Sequence, residues 1–320
     1  MQNSQSARTH PFLHLHATDV TVLEEAQPEK RRRYVQLTPG PINGELIQLQ
    51  TPVVQVFRER VDAGMRVEAA PPRHLVPFSV ALEINGAARF CGVDILPHTF
   101  IQAGGGEWDF HGTRTMDYVC CVFDRDRFEQ AVLDLTGRPA RPEWLESRVR
   151  PSSPAAVDAL ERRLIRLLAS PAAFPSPMSD GVSRELEADL VQHTIAALLC
   201  GEERPVVETA SRRRRALRRA LECLDRGGEP LPTIPELCRF AGVGQRTLEY
   251  AFRDQLGVTP IHYIKLVRLN RAHRLLRLAS SANETVTSIA FACGFNELGR
   301  FAGDYRRHFG ESPSQTLHRV

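Results

Sequence analysis

Arg246, Glu249, Tyr250 and Arg253 are the four side chains whose types and spacing point to chemistry. Separations of 3, 4 and 7 put them on one side of a helix, opposite Leu248 and Phe252. An arginine on such a face can pair bidentately with guanine, and a glutamate can accept from a cytosine amino group. Each good pair discriminates by ~1–3 kcal/mol. Gln245 and Arg253, at the edges of the face, suit phosphate oxygens. The chemistry is recognition of base edges, not bond making. Outside a DNA-reading context the same residues would be a solvated helix face.

The elements around them set that context. Thr233 and Glu236 form a T-x-x-E capping box that starts a helix. Ile234, Leu237, Cys238 and Ala241 follow as one buried stripe, and Gly242-Val243 ends the helix. A second helix runs from Gly244 to about Leu256 and stops at Gly257. Moving 52 residues on, Val286, Ile289, Ala290 and Cys293 repeat the stripe and Gly294-Phe295 the turn. A further helix then buries Phe301 and Tyr305. Helix, glycine turn, helix is the helix-turn-helix pattern, and two copies in register are far more specific than one. The second copy differs in its outward face, which holds Leu298, Gly299, Ala302 and Gly303. That face cannot read bases by hydrogen bonds, though it can meet thymine methyls. Asn296, Glu297, Arg300, Arg306 and Arg307 flank it and suit phosphates. The expectation is asymmetric: the first motif reads and the second positions. Thr259-Pro260 opens a long helix to about Leu278 that would hold the motifs apart. Lys265, Arg268, Arg271, Arg274 and Arg277 along it are expected to touch phosphate or solvent.

Charge supports this placement. Residues 211–320 carry 19 Lys/Arg and 10 Asp/Glu, a net +9, whereas residues 1–210 carry 22 and 28, a net −6. A basic last third on an acidic body suits a polyanion-binding domain. The 320 residues suffice for about two domains. No apolar run approaches the ~18 residues of a membrane span, and no secretory leader is visible in MQNSQSARTH. The first ten residues are expected to form a mobile tail. Seven scattered cysteines without a C-x-x-C pair suggest reduced thiols in a cytoplasmic protein.

The first half reads as short strands. Phe78, Val80, Leu82 and Ile84 alternate with small or polar residues, Asn85-Gly86 marks a hairpin, and Arg89-Phe90-Cys91 is its return. Short apolar runs over 45–50, 53–57, 65–69, 99–102, 108–111 and 115–123 complete a sandwich or small barrel. Residues 126–135 form a short helix closed by Gly137, and residues 138–154 a Pro-rich linker. Two amphipathic helices follow, one opened by Ser153-Pro154 and one capped by Ser183, with Pro/Ser-rich residues 170–182 between. They suit a dimer interface or packing on the chain's own barrel. A basic helix over 212–225, closed by Gly227-Gly228, precedes the two motifs. The division is residues 1–137, 138–210 and 211–320.

The last of these resembles the AraC/XylS family of bacterial transcription regulators. The resemblance is carried by ELCRFAGVGQRTLEYAFRDQLGVTPIHYIKLVRLNRAHRLL and TVTSIAFACGFNELGRFAGDYRRHFGESPSQTLH. GVTP and GESPSQTL match the family's two closures. Within the family, TLEYAFRDQLGVTPIHYIK and FAGDYRRHFGESPSQTLH are most similar to the ethanolamine-operon activator type. Tyr34-Val-Gln-Leu and Val56-Phe-Arg-Glu carry a looser likeness in the first half. The resemblance implies an α+β chain: an N-terminal cupin-like β-barrel that senses a small molecule, a helical connector and an all-α C-terminal domain with two helix-turn-helix motifs. It implies base contacts at Arg246, Glu249 and Tyr250, and partners that are promoter DNA, RNA polymerase, an effector and, in some cases, a second copy. The ethanolamine likeness implies a small amine or alcohol effector, with cobalamin.

For the effector pocket the aromatic and polar candidates are His74, Trp108 and Phe110. Lys30-Arg31-Arg32-Arg33 reads as a solvated run before the first strand. His14-x-His16 lies ahead of the strands, and His74, His98 and His111 are isolated, so neither a metal site nor a cofactor is expected. There is no G-x-S-x-G, and Gln102-Ala-Gly-Gly-Gly-Glu107 matches no phosphate-binding loop. The competing readings are a cupin-type enzyme with a helical accessory domain, marked by stoichiometric metal, and a scaffold with incidental DNA contact, marked by a weak, unspecific footprint.

Overall fold

The computed structural model describes residues 12–104, 106–150, 152–169, 179–199, 212–226, 231–279 and 284–318. The expected N-terminal tail, residues 170–178 and the Gly227-Gly228 closure lie outside them. The first half comprises β1 (Phe12–Ala17), α1 (Val20–Ala26), β2 (Arg32–Gln36), β3 (Gly44–Gln50), β4 (Val54–Val61), β5 (Met65–Ala69), β6 (Leu75–Ile84), β7 (Ala88–Phe90), β8 (Val93–Asp94), β9 (Phe100–Gln102), β10 (Trp108–Gly112) and β11 (Met116–Asp124). Then come α2 (Arg125–Thr136), β12 (Arg148–Arg150), α3 (Pro154–Ala169) and α4 (Asp180–Leu199). The last third is helical: α5 (Arg212–Arg226), α6 (Ile234–Ala241), α7 (Gln245–Leu256), α8 (Pro260–Leu278), α9 (Val286–Ala292), α10 (Leu298–Phe309) and α11 (Pro313–Leu317).

The strands form two sheets, β1-β3-β4-β11-β6-β9-β12 and β2-β5-β10-β7-β8, and no ladder among the described residues closes them into a barrel. Alternation along each strand builds the layers. Phe78, Val80, Val119, Cys121 and Phe123 point from the large sheet onto α2, α3 and α4. Phe57, Met116, Cys120 and Val122 point the other way, onto Tyr34, Val67, Phe90 and Phe110 of the small sheet. The apolar faces of α3 and α4 are therefore spent on the chain's own sheet.

Five local expectations change. Asn85-Gly86 does not make a hairpin, because β6 and β7 lie in different sheets. The turn instead bonds across to the Thr113 turn: Asn85 N donates to Thr115 O at 3.2 Å and Ala87 N to Thr113 Oγ1 at 3.0 Å. The two-residue hairpin sits one strand later, at Cys91-Gly92, both with positive φ. His14 and His16 do not lie ahead of the strands but within β1, paired to β3. The Pro-rich linker contains β12, which pairs with β9. Ser183 does not cap α4 but lies inside it, buried. A bulge between Asp117 and Tyr118 also turns Ile84 from the Phe78–Leu82 face to the inter-sheet side.

The helical third has two small cores that share α8. Leu217, Leu221, Leu237, Leu248, Phe252 and Tyr263 form the first, joined by Val35 and Leu37 from the β2 segment. Leu269, Leu276, Ile289, Phe301 and Tyr305 form the second.

Candidate nucleic-acid interface

The first helix pair is built as its residues dictate. The Glu236 carboxylate accepts from Thr233 N and Thr233 Oγ1, both at 2.8 Å, and fixes the start of α6. Gly242 ends α6 at φ +68°, where a Cβ would be strained, and Gly244 opens α7. Leu248, Ala251 and Phe252 are fully buried and anchor one face of α7. The opposite face carries Gln245, Arg246, Glu249, Tyr250 and Arg253; of these only Glu249 is half-buried and the rest are exposed. Gln245 Nε2 donates to Glu249 Oε1 at 3.1 Å, and an Arg246 guanidinium nitrogen donates to Tyr250 Oη at 3.3 Å. These i,i+4 pairs hold the candidate readers in order before any ligand arrives.

Sequence reasoning missed Arg213. From α5 its guanidinium lies 5.2 Å from the Tyr250 ring centre and bonds Asp254 at 2.6 Å, so α5 buttresses the end of the reading face. The i,i+3 logic that groups residues within a helix cannot reveal a neighbour from another helix.

The second pair is shaped the same way but presents different groups. Thr285 Oγ1 accepts from Ser288 N at 3.1 Å to cap α9, and Gly294 turns at φ +75° against the Arg268 guanidinium. Phe301 and Tyr305 are buried, and Leu298, Gly299, Ala302, Gly303 and Arg306 are exposed. Open space surrounds Gly299 and Gly303. Asn296, Glu297 and Arg300 are exposed at the start of α10. The face is smooth and apolar where that of α7 is polar.

The basic residues of α8 do not all serve a solvent or phosphate face. Lys265 pairs with Asp304 at 2.5 Å. Arg274 donates to Tyr34 O at 3.2 Å and lies 3.5 Å from Glu24, and Arg277 lies 3.2 Å from Asp19. These two therefore belong to a junction with the sheets. Gln36 N donates to Asn270 Oδ1 at 3.0 Å, and Asn270 Nδ2 returns a bond to Gln36 O at 3.2 Å. Asp19, the N-cap of α1, bonds His273 on α8. Burial alone would raise the Asp19 carboxyl, but the His273 bond and charge and the Thr21 bonds outweigh it and hold the group below the usual range. Arg66 of β5 donates to Tyr263 Oη at 2.9 Å and pairs with Asp225 at 3.2 Å. Burial and a hydrogen bond with Asp225 push Glu68 up to about 8.

Two buried histidines give this region a pH dependence. His308 Nε2 donates to Gln36 O at 3.2 Å, and burial holds its imidazole down at about 4. His111 on β10 is likewise held at about 4, by burial and by the Arg89 and Arg66 charges. The unfolded chain takes up these protons near pH ~6.5, whereas the folded chain resists them. Stability should therefore fall as pH drops from about 6.5 towards 4, by at most ~3 kcal/mol per histidine. Urea unfolding at pH 7 and pH 4.5 measures this. His308→Gln should flatten the profile, and a profile parallel to that of the parent protein would refute the assignment.

A cavity of about 70 Å³ lies between the sheets. Trp108 and Phe110 line it, together with Phe57, Ser79, Met116, Tyr118 and Cys120. His74 does not: it is exposed in the turn before β6, where its carbonyl accepts from Arg125 N. The basic run is not solvated either. Arg31 and Arg33 are exposed, but Lys30 and Arg32 alternate inward and line the cavity. Arg32 donates to Glu59 at 2.7 Å and to Tyr118 Oη at 2.9 Å, and Tyr34 Oη donates to Glu59 at 2.7 Å. The signal was a period of two within the charge run, continuing into Tyr34. His14, His16 and Glu45 bring their donor atoms within 4.8 Å of one another on the outer side of β1 and β3, as do His98, Asp158 and Glu161 elsewhere on the surface. Neither group reaches the cavity. No helix among the described residues is long and apolar enough to cross a membrane.

A domain that ends in capped helix, glycine turn and helix, with a polar basic face on the second helix, is a DNA-binding domain of the helix-turn-helix class. Residues 237–319 match a family model described as a helix-turn-helix domain. A probable thc operon regulatory protein of Rhodococcus erythropolis is 38% identical over 104 residues, 32% of this chain and 31% of that protein. The transcriptional activator RhaS of Klebsiella pneumoniae is 44% identical over 68 residues, 21% and 23% of the two chains. A crystal structure of a probable AraC family transcriptional regulator from Rhodopseudomonas palustris is 40% identical, covering 32% of this chain and 95% of that one, with a TM-score of 0.31. Over this domain the chain is similar to these transcription regulators. The match spans 31% and 23% of these two curated relatives' own length.

Proposed function

We propose that this protein is a sequence-specific regulator, and an activator, of a metabolic operon, controlled by a small molecule bound between its sheets. The carrying observation is the exposed face of α7, where Arg246 and Glu249 stand ordered by Tyr250 and Gln245 on a helix anchored by buried Leu248 and Phe252. In this reading both helix pairs are helix-turn-helix motifs. Arg246, Glu249 and Tyr250 read one half-site, and Gln245 and Arg253 hold its phosphates. Asn296, Glu297, Leu298, Gly299, Arg300 and Arg306 seat α10 on the other. The 19 residues of α8 span ~28 Å, near the ~34 Å between successive major-groove faces.

Residues 1–137 form the cupin-like sensing unit, 138–210 the connector and 211–320 the DNA-binding unit. Strand β2 is the link between effector and DNA. It begins at Arg32 against the cavity and ends at Gln36 on Asn270 of α8, with Val35 and Leu37 in the core of the first helix pair. A ligand that moves β2 therefore biases the spacing of the two motifs. The partners are double-stranded promoter DNA, RNA polymerase, the effector and a second copy of the chain, in the cytoplasm. The ethanolamine-operon type remains part of this proposal for the motif residues quoted above.

A promoter fragment from the flanks of its own gene tests the reading, titrated from 50 to 200 mM salt with competitor DNA. Binding should weaken linearly in log–log form, with a slope of about −0.9 per phosphate neutralised. Arg253→Ala should make that slope shallower by about one such unit, whereas Arg246→Ala should lower specific binding and leave the slope nearly unchanged. Salt-independent binding, or equal affinity for promoter and competitor, would contradict it.

A further inference from the structure

We propose that the cavity between the sheets takes a small apolar monocarboxylate whose headgroup lies against Lys30 Nζ. The inference rests on the effector-sensing reading above and names the ligand class for that site.

Three polar atoms of the cavity-lining residues are buried without a hydrogen-bond partner: Lys30 Nζ, Arg32 Nε and Trp108 Nε1. All three are N–H donors. The charge on Arg32 is already met by Glu59, with side-chain exposures of 2% and 0%. That on Lys30 is not. Its ammonium sits 3.4 Å from the centre of the Phe57 ring, which attracts a cation but accepts no ordinary hydrogen bond. Burial and the neighbouring Arg32 accordingly push Lys30 well below its usual range. A buried cation without an acceptor is costly to keep, and a ligand that brings acceptor oxygens and a negative charge removes that cost.

The rest of the lining selects against other classes. Val67, Ile95, Ile101 and Met116 are aliphatic, and burial raises the Cys120 thiol, which stays neutral. A sugar or polyol would leave its hydroxyls unmatched against these walls. An amine would place a third cation beside Lys30 and Arg32. An alcohol supplies an acceptor but no charge. A carboxylate on an apolar body matches both the donors and the walls.

The chain supplies its own reporter, because its two tryptophans are Trp108 in the cavity and Trp144 outside it. In a Trp144→Phe background, Trp108 emission is followed while octanoate, 1-octanol and octylamine are titrated into the full chain. These probes share one alkyl chain and differ only in the headgroup. Octanoate should saturate the signal at a concentration at least about tenfold below octanol, as expected for a charge-assisted hydrogen bond in a dry site. Lys30→Met should weaken octanoate to the level of octanol while leaving octanol unchanged. Lys30→Arg should retain part of the preference. The methionine variant removes an unpartnered buried charge, so it should melt no lower than the parent, which separates lost binding from lost folding. Equal binding of octanoate and octanol, or tighter binding of octylamine, would overturn the headgroup assignment and leave the effector pocket standing. No saturable response to any probe, by fluorescence or by calorimetry, would overturn both.

Discussion

Changing bases one at a time across the two half-sites should give unequal losses. Each change under α7 is expected to cost ~1–3 kcal/mol, roughly 5- to 150-fold in affinity. Changes under α10 should cost much less, except where a thymine methyl meets Leu298 or Ala302. The cause is the chemistry of the two faces. Arg246 and Glu249 present a fork of donors and a paired acceptor, already ordered at 3.3 and 3.1 Å by Tyr250 and Gln245. Leu298, Gly299, Ala302 and Gly303 present neither donors nor acceptors from their side chains. Arg246→Ala should therefore erase the preference at one base position in the first half-site and leave thermal stability unchanged, since Arg246 is exposed. Equal losses in both half-sites would refute the division of labour.

Glu59→Ala should be the most damaging single substitution at the cavity. Glu59 is fully buried and accepts from Arg32 and from Tyr34 Oη, both at 2.7 Å. Its removal strands the Arg32 guanidinium in a dry interior, at a cost of ~3–5 kcal/mol. Arg32 and Tyr34 lie on the strand whose far end bonds Asn270, so the loss should also loosen the seat of α8. Urea unfolding gives the size of the effect. The paired change Arg32→Met with Glu59→Leu should restore most of the stability, because no charge is then left alone. A loss below ~1 kcal/mol for Glu59→Ala would mean that water or another acceptor reaches Arg32.

The helical third was legible because its signals are local. A Thr and a Glu three apart, an apolar stripe at 3 and 4, and a glycine at the turn specify α6 and α7 within a few residues, and Glu236 caps Thr233 as read. The strands were legible one by one for the same reason, but not their assignment to sheets. Asn85-Gly86 has the residues of a hairpin turn, yet what decides its partner is the Thr113 turn, 26 residues away. Lys30 and Arg32 look like solvent-facing charge until Glu59 is brought beside them from β4. His74 looked like a pocket residue by type, and its position before β6 leaves it in solvent. The Arg274 and Arg277 contacts need Glu24, 250 residues from Arg274 in the chain, and Asp19 to be brought beside α8, which no spacing rule encodes. Local periodicity carries the elements, and long-range pairing of charge carries the site.

The most direct measurement is a footprint of the purified chain on the DNA flanking its own gene, at ~150 mM salt with excess competitor. The predicted result is a protected site of about two helical turns, weakened by Arg246→Ala but kept on Gly303→Ala. Equal protection of competitor and flanking DNA, or a footprint indifferent to Arg246, would contradict it.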